Sequence, residues 1–174
     1  MKTSLSPTIA FLAFATAVFG DPHETEIKFA DLPAPVQQTA RMVVGPGRVT
    51  GAVRESGDDG SVIYEVSYVW GKKKFDAEIS ADGKLLVLDE EIPLSAAPVA
   101  VRATIEKATV GGKIAKVEKA VKGDTVFYEI EFRRNGRAQE LKVDSDGRLL
   151  GIGNSNSVFH HRVLYRGASG WSIA

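Results

Sequence analysis

A chain of 174 residues with 44% hydrophobic and 25% charged side chains has the composition of a globular protein of one domain or two small ones, not of a disordered chain. Its 22 basic and 22 acidic groups cancel to a formal charge of zero, which argues against a nucleic-acid partner, since that needs a basic surface to neutralise phosphates. Cysteine is absent, so disulfides, thiol nucleophiles and a lipid-modified N-terminal cysteine are excluded.

In the first twenty residues, MKTSLSPTIAFLAFATAVFG, Lys2 is the one charge, and an apolar run extends from Ile9 to Phe19. The run is too short to span a bilayer and ends in small residues just before Asp21, the layout of a secretory signal peptide. Cleavage is expected after Gly20, with Ala17 as the alternative site. Removing residues 1–20 takes Lys2 away and leaves a net charge of −1. No later segment is apolar enough to cross a membrane, so the expected location is outside the cell or in the periplasm.

Leu32, Val36, Ala40 and Val43 recur on one helical face, with Asp31 as a candidate N-cap, Pro33 in the first turn and Gly45-Pro46-Gly47 as the stop. Strands are expected at RVTGAVRE (48–55), VIYEVSYVW (62–70), FDAEIS (75–80) and KLLVL (84–88), punctuated by SGDDG, Gly71 and Ala-Asp-Gly. In VIYEVSYVW, alternation puts Val62, Tyr64, Val66, Tyr68 and Trp70 on one face and Glu65 on the other. The stretch VLDEEIPLSA, with acidic Asp89, Glu90 and Glu91, reads as a linker. A second helix carries Pro98, Val101, Ile105 and Ala108, has Ser95 as a possible cap and stops at Gly111-Gly112. Then come KIAKVEKAV, a KGD turn, VFYEIEF, the Asn135-Gly136 hairpin, AQELKV, the Asp146-Gly147 turn and RLLG.

The two series are the same series. At an offset of 64, Val62, Tyr64, Glu65, Asp82, Gly83, Leu85 and Leu86 fall on Val126, Tyr128, Glu129, Asp146, Gly147, Leu149 and Leu150. Upstream, Ala34-Pro35-Val36 falls on Ala97-Pro98-Val99. The pattern predicts an internal duplication and an α+β fold of two tandem α-β-β-β(-β) modules, each with one helix on a meandering antiparallel sheet. The expected boundaries are residues 27–88 and 92–151, followed by a tail, 152–174, whose VFHHRVLY could add a strand.

DLPAPV with its helix, the glycine turn into RVTGAV or KIAKVEKA, the YEV or YEI strand, and the ADGKLL or DSDGRLL ending together resemble the PepSY-like proteins. That family is also described as beta-lactamase-inhibitor-protein-like. The likeness covers roughly residues 29–151 and rests on structural residues. It implies an exported protein that binds another protein, in the sharper version inhibiting a peptidase or other exported enzyme, and it carries no catalytic residues over. The second copy departs from the pattern, with Ile92-Pro93 and a longer approach to its helix.

No cofactor and no catalytic or metal-ligating set is expected. Asp58-Asp59-Gly60 and Asp144-Ser145-Asp146-Gly147 suit turns better than calcium loops, since neither continues to a closing Glu. His160 and His161 would point to opposite faces of a strand, and His23 stands apart. Glu65 and Glu129, at equivalent positions, read as solvated or salt-bridged strand residues. The candidate partner-binding residues are Trp70, Lys72, Lys73 and Lys74 after one central strand, and Arg133, Arg134 and Arg137 after the other. They would form a paired basic rim that steers an acidic partner, against a plainer role in solvating hairpin tips. The alternative function is a cell-envelope module sensing a small ligand or metal, with the tail histidines contributing.

Overall fold

The computed structural model describes residues 24–57, 59–154, 165–167 and 170–172. The expected export signal, His23, Asp58, His160, His161 and most of the expected tail strand lie outside these residues. The described chain is α+β. β1 (Glu24–Glu26), β2 (Arg48–Ser56), β3 (Val62–Trp70), β4 (Lys73–Ser80) and β5 (Leu85–Glu91) pair in sequence order with β6 (Lys113–Lys122), β7 (Thr125–Arg134), β8 (Arg137–Asp144) and β9 (Leu149–Asn154). The result is one nine-stranded antiparallel meander, with helices α1 (Ala34–Val44) and α2 (Val99–Ala108) inserted before β2 and β6. A separate hairpin pairs β10 (Tyr165–Gly167) with β11 (Gly170–Ser172).

The two halves therefore share a sheet. β5 pairs with β6 from Leu88↔Val121 to Glu91↔Glu118, so the first half of the stretch expected to be a linker is strand in the middle of the sheet, and Leu94–Ala96 after it is a 3-10 turn. β1, before the first expected module boundary, extends the other end by pairing with β2.

Each helix buries its apolar stripe on its own half of the sheet. Val36 and Ala40 of α1 pack on Tyr64, Val66, Tyr68, Ala77 and Ile79, with Tyr68 stacked on Phe75 at 5.0 Å between ring centres. Val101 and Ile105 of α2 pack on Val117, Tyr128, Ile130, Phe132, Leu141 and Val143. Leu88, packed against the first core, is paired with Val121, and Val121 with Val126 of the second core. Because cross-strand partners share a face, both helices lie on the same side of the sheet.

The halves repeat each other in detail, with an offset of 65 in the helices and 64 beyond β2. Each helix starts after a proline, Pro33 or Pro98, that follows a 3-10 turn, so Pro98 corresponds to Pro33 and not to Pro35. Asp31 closes the first turn and caps nothing; no side chain caps either helix start. The carbonyls there are instead held from within each helix. Gln37 donates to Ala30 and Leu32, and Arg102 donates to Ser95 and Ala97. The Asp-Gly turns tuck against the helices in the same way. Thr39 donates to the carbonyl of Gly83 and Thr104 to that of Gly147, both at 2.5 Å. Both glycines have positive φ, and a Cβ would lie 2.8 Å from Pro35 at Gly83 and 2.7 Å from Ala100 at Gly147. That close approach is why the motif ends in glycine.

Candidate functional site

The residues expected to contact a partner gather at one end of the sheet. Trp70 closes the β3–β4 hairpin opposite Lys73 and is 57% exposed, while Tyr64 and Tyr68 of the same stripe are core. The equivalent β7–β8 hairpin closes on Arg134 opposite Arg137, with Asn135 and Gly136 both at positive φ. Much of the basic charge there is already engaged. Lys73 pairs with Glu90 at 2.5 Å and Lys74 with Glu91 at 2.9 Å. Arg134 donates to Gln139 and to the Ala108 carbonyl at the end of α2, and its guanidinium lies over Phe132. Lys72, Arg133 and Arg137 are exposed.

A more unusual arrangement covers the side of the sheet away from the helices. The alternation that turns Tyr64, Val66 and Tyr68 inward turns Glu65 outward, and each neighbouring strand does the same with an acid. The antiparallel register then sets acid against acid at Glu24↔Glu55, Glu65↔Glu78, Asp76↔Asp89, Glu91↔Glu118, Glu118↔Glu129 and Glu131↔Glu140. Directly opposed like charges destabilise a sheet, because their Cβ atoms are only about 5 Å apart. Lys116 and Lys142 offset part of this. Lys116 pairs with Glu118 at 2.7 Å and with Asp76 at 3.3 Å; Lys142 pairs with Glu129 at 2.5 Å and with Glu140 at 3.4 Å.

All of these acids but Glu91 and Glu140 line a cleft of about 170 Å³ whose lining runs from β1 to β7. Asp89 lines it too. That side chain is 5% exposed, and its Oδ1 has no hydrogen-bond partner. Opposite Asp89 on β6 is Ala120, and beyond Ala120 lies Phe127; both are buried and pack with Val87 in a small cluster. A second groove of about 450 Å³ shares Asp76, Lys116 and Glu131 with the cleft and reaches Lys74 and Glu91 near the hairpin end.

Burial and the surrounding charges govern the protonation of this face. Burial, reinforced by Glu129, Glu78, Glu118 and Asp76, pushes the Asp89 carboxyl up to about 9. Glu118 is pushed up to about 7 by burial, with Lys116 opposing the rise and Asp76 and Glu129 adding to it. Burial works against charged Lys116 and Lys142, yet their carboxylate partners win and hold both above the usual lysine range. Near neutral pH, burial and the surrounding acids therefore favour the protonated form of Asp89.

In the second half the corresponding cross-strand pair is Glu140↔Gly153 on β8 and β9, with glycine where the first half has Asp89. Sequence reasoning noted Glu65 and Glu129 singly and took both for solvated or paired strand residues. Glu129 is indeed paired, with Lys142. Their convergence on Asp89 was hidden because the end of β5, Asp89 to Glu91, read as a linker; the signal available was the regular acid on the outward face of each central strand. Among the described residues no set of three or more His, Asp or Glu is placed to hold a metal ion.

A one-sided antiparallel sheet with two helices behind it and an acidic cleft in front defines an α+β protein with an open sheet face. Solved structures share this fold. A DUF2874 family protein from Bacteroides uniformis matches with a TM-score of 0.58 at 13% identity, over 74% of this chain and 93% of that one. A protein from Bacteroides eggerthii, described as a candidate periplasmic protein, matches with a TM-score of 0.59 at 13% identity, over 74% and 92%. A BLIP-like protein from Bacteroides fragilis matches with a TM-score of 0.55 at 12% identity, over 72% and 88%. These likenesses are of fold. No protein-family model matches the chain, and no curated protein does.

Proposed function

We propose that this is an exported, non-enzymatic binding protein of two duplicated PepSY-like modules, 27–88 and 92–151, and that it docks another exported protein. The observation that carries the reading is the helix-free face of the sheet, where the registers gather like charges at a cost to stability. A face kept for folding alone would do better with well-packed apolar side chains. Charge arranged at such a cost is accounted for by a partner that neutralises it. The likeness in fold to a BLIP-like protein supports the choice of a protein partner. Trp70, Lys72, Lys73, Lys74, Arg133, Arg134 and Arg137 flank the docking face as a rim in this reading, and inhibition of a peptidase or other exported enzyme is its sharper form.

The test is a competition. The purified exported protein is immobilised and exposed to exported proteins of its own host, in parallel with a variant carrying Glu65→Gln and Glu78→Gln. A partner held by the parent and lost from the variant supports the reading, as does slowed hydrolysis when that partner is an enzyme. No difference between the two surfaces over a range of salt concentrations rejects it.

A further inference from the structure

Asp89 holds the least compensated position on the acidic face. The nearby lysines are committed to other carboxylates, Lys74 to Glu91, Lys116 to Asp76 and Glu118, and Lys142 to Glu129 and Glu140. Asp89 is left with a buried Oδ1 that nothing in the described chain satisfies. Such an atom is expensive to bury and calls for a donor from outside. The surrounding acids fix the sign of that donor: it is a cation. Since no three of the acids are placed to close around a metal ion, the fitting cation carries several N–H donors on a reach long enough to enter the cleft. The cleft's size suits one long side chain, and Asp89 is among the residues that line it. Val87, Ala120 and Phe127 form a small buried cluster next to Asp89 on the same face, and Val53 is the apolar residue in the cleft lining. The adjoining groove, larger than the cleft, has room for the main chain that would carry such a side chain.

We propose that the cleft receives a lysine or arginine side chain of the docked protein, with its ammonium or guanidinium against Asp89 and its main chain along the adjoining groove. This rests on the protein-binding reading and gives that partner a chemistry. Entry of the cation ionises Asp89 and releases its proton. Glu24 and Glu55 on β1 and β2, Glu65 on β3, Asp76 and Glu78 on β4, Glu118 on β6 and Glu129 and Glu131 on β7 line the cleft and favour the cation, while Lys116 and, paired with Glu129, Lys142 oppose it. Affinity therefore rises between pH 6 and pH 8.

The experiment follows backbone amide resonances of the full exported chain during titration with three capped peptides, Ac-Gly-Lys-Gly-NH2, Ac-Gly-Arg-Gly-NH2 and the uncharged norleucine analogue, and with spermidine and calcium chloride. Saturable shifts at Asp89, Ala120 and Phe127 are expected with the lysine or arginine peptide and not with norleucine. Asp89→Asn should weaken that binding at least tenfold, whereas Asp146→Asn in the distant β8–β9 turn should leave it unchanged. Glu118→Gln gives a second variant should Asp89→Asn fail to fold, and should weaken binding severalfold. Equal binding of norleucine, indifference to both cleft variants, or shifts from calcium or spermidine without shifts from either basic peptide would each overturn the proposal. A captured protein partner retained undiminished by Asp89→Asn would end this inference and leave protein binding standing. Peptide binding without any captured partner would do the reverse.

Discussion

Asp89 carries a stability prediction of its own at a single carboxyl. Its folded-state titration near pH 9 lies above the ordinary aspartate range, so between about pH 4 and pH 9 the folded chain binds more protons than the unfolded chain. Glu118, near 7, acts in the same direction over the lower part of that range. The stability these groups contribute is thus present at pH 5 and is lost as the pH rises towards 9. Asp89→Asn remains neutral throughout. It should melt close to the parent at pH 5 and clearly above it at pH 8.5, which thermal unfolding at both pH values will show. A purely structural aspartate would give the opposite result. The glycines at the Asp-Gly turns make a second residue-level case. Gly83→Ala and Gly147→Ala should each cost about 1–3 kcal/mol, from positive φ and from contact with Pro35 or Ala100, as read in denaturant unfolding.

Most elements could be read from the sequence because local pattern determines them. The period-2 alternation of Val62–Trp70 and the glycines after each helix stand in the structure as β3 and the helix ends. β5 could not be read in full. Asp89, Glu90 and Glu91 look like solvated linker residues until β6 pairs with them, and pairing between distant strands leaves no local trace. The helix alignment misled for a related reason. The repeated Ala-Pro-Val is a coincidence of letters, while the correspondence that positions each helix runs from Leu32-Pro33 to Ala97-Pro98. The basic candidates Lys73 and Lys74 were legible as charges, but their partners on β5 were not. The β5–β6 seam also carries a prediction of its own. It pairs over Leu88–Glu91, while β3–β4 pairs over Ile63–Trp70, and among the described residues each helix packs on its own half rather than across it. Hydrogen exchange of its amides should be faster than in β3 or β7, with the gap widening from pH 5 to pH 8 after correction for intrinsic rates, because opening the seam lets Asp89 and Glu118 ionise.

For the molecule as a whole, the formal charge of zero conceals a strong polarity. Acids gather on one sheet face and basic side chains at the hairpin end. Association with a partner that uses the exposed rim should slow as salt rises from 50 to 300 mM, since exposed charges are screened over roughly 10 Å. Binding in the cleft, where the charges are buried, should depend on salt less steeply than association at the rim. Surface-plasmon measurements of on-rate and off-rate across that salt range will separate the two contributions.

The glycine at position 153 has a consequence for counting. Duplication produces copies, and two copies of a binding element ordinarily bring two equivalents of ligand and the avidity that goes with them. Here Asp76↔Asp89 in one half answers to Glu140↔Gly153 in the other, so the second half has the opposing acid without its floor. Its role is to supply β6 and β7, the far wall of a cleft that the first half could not close alone. A titration of the whole chain with the basic peptide should accordingly end at one equivalent, a monovalent protein assembled from paired parts.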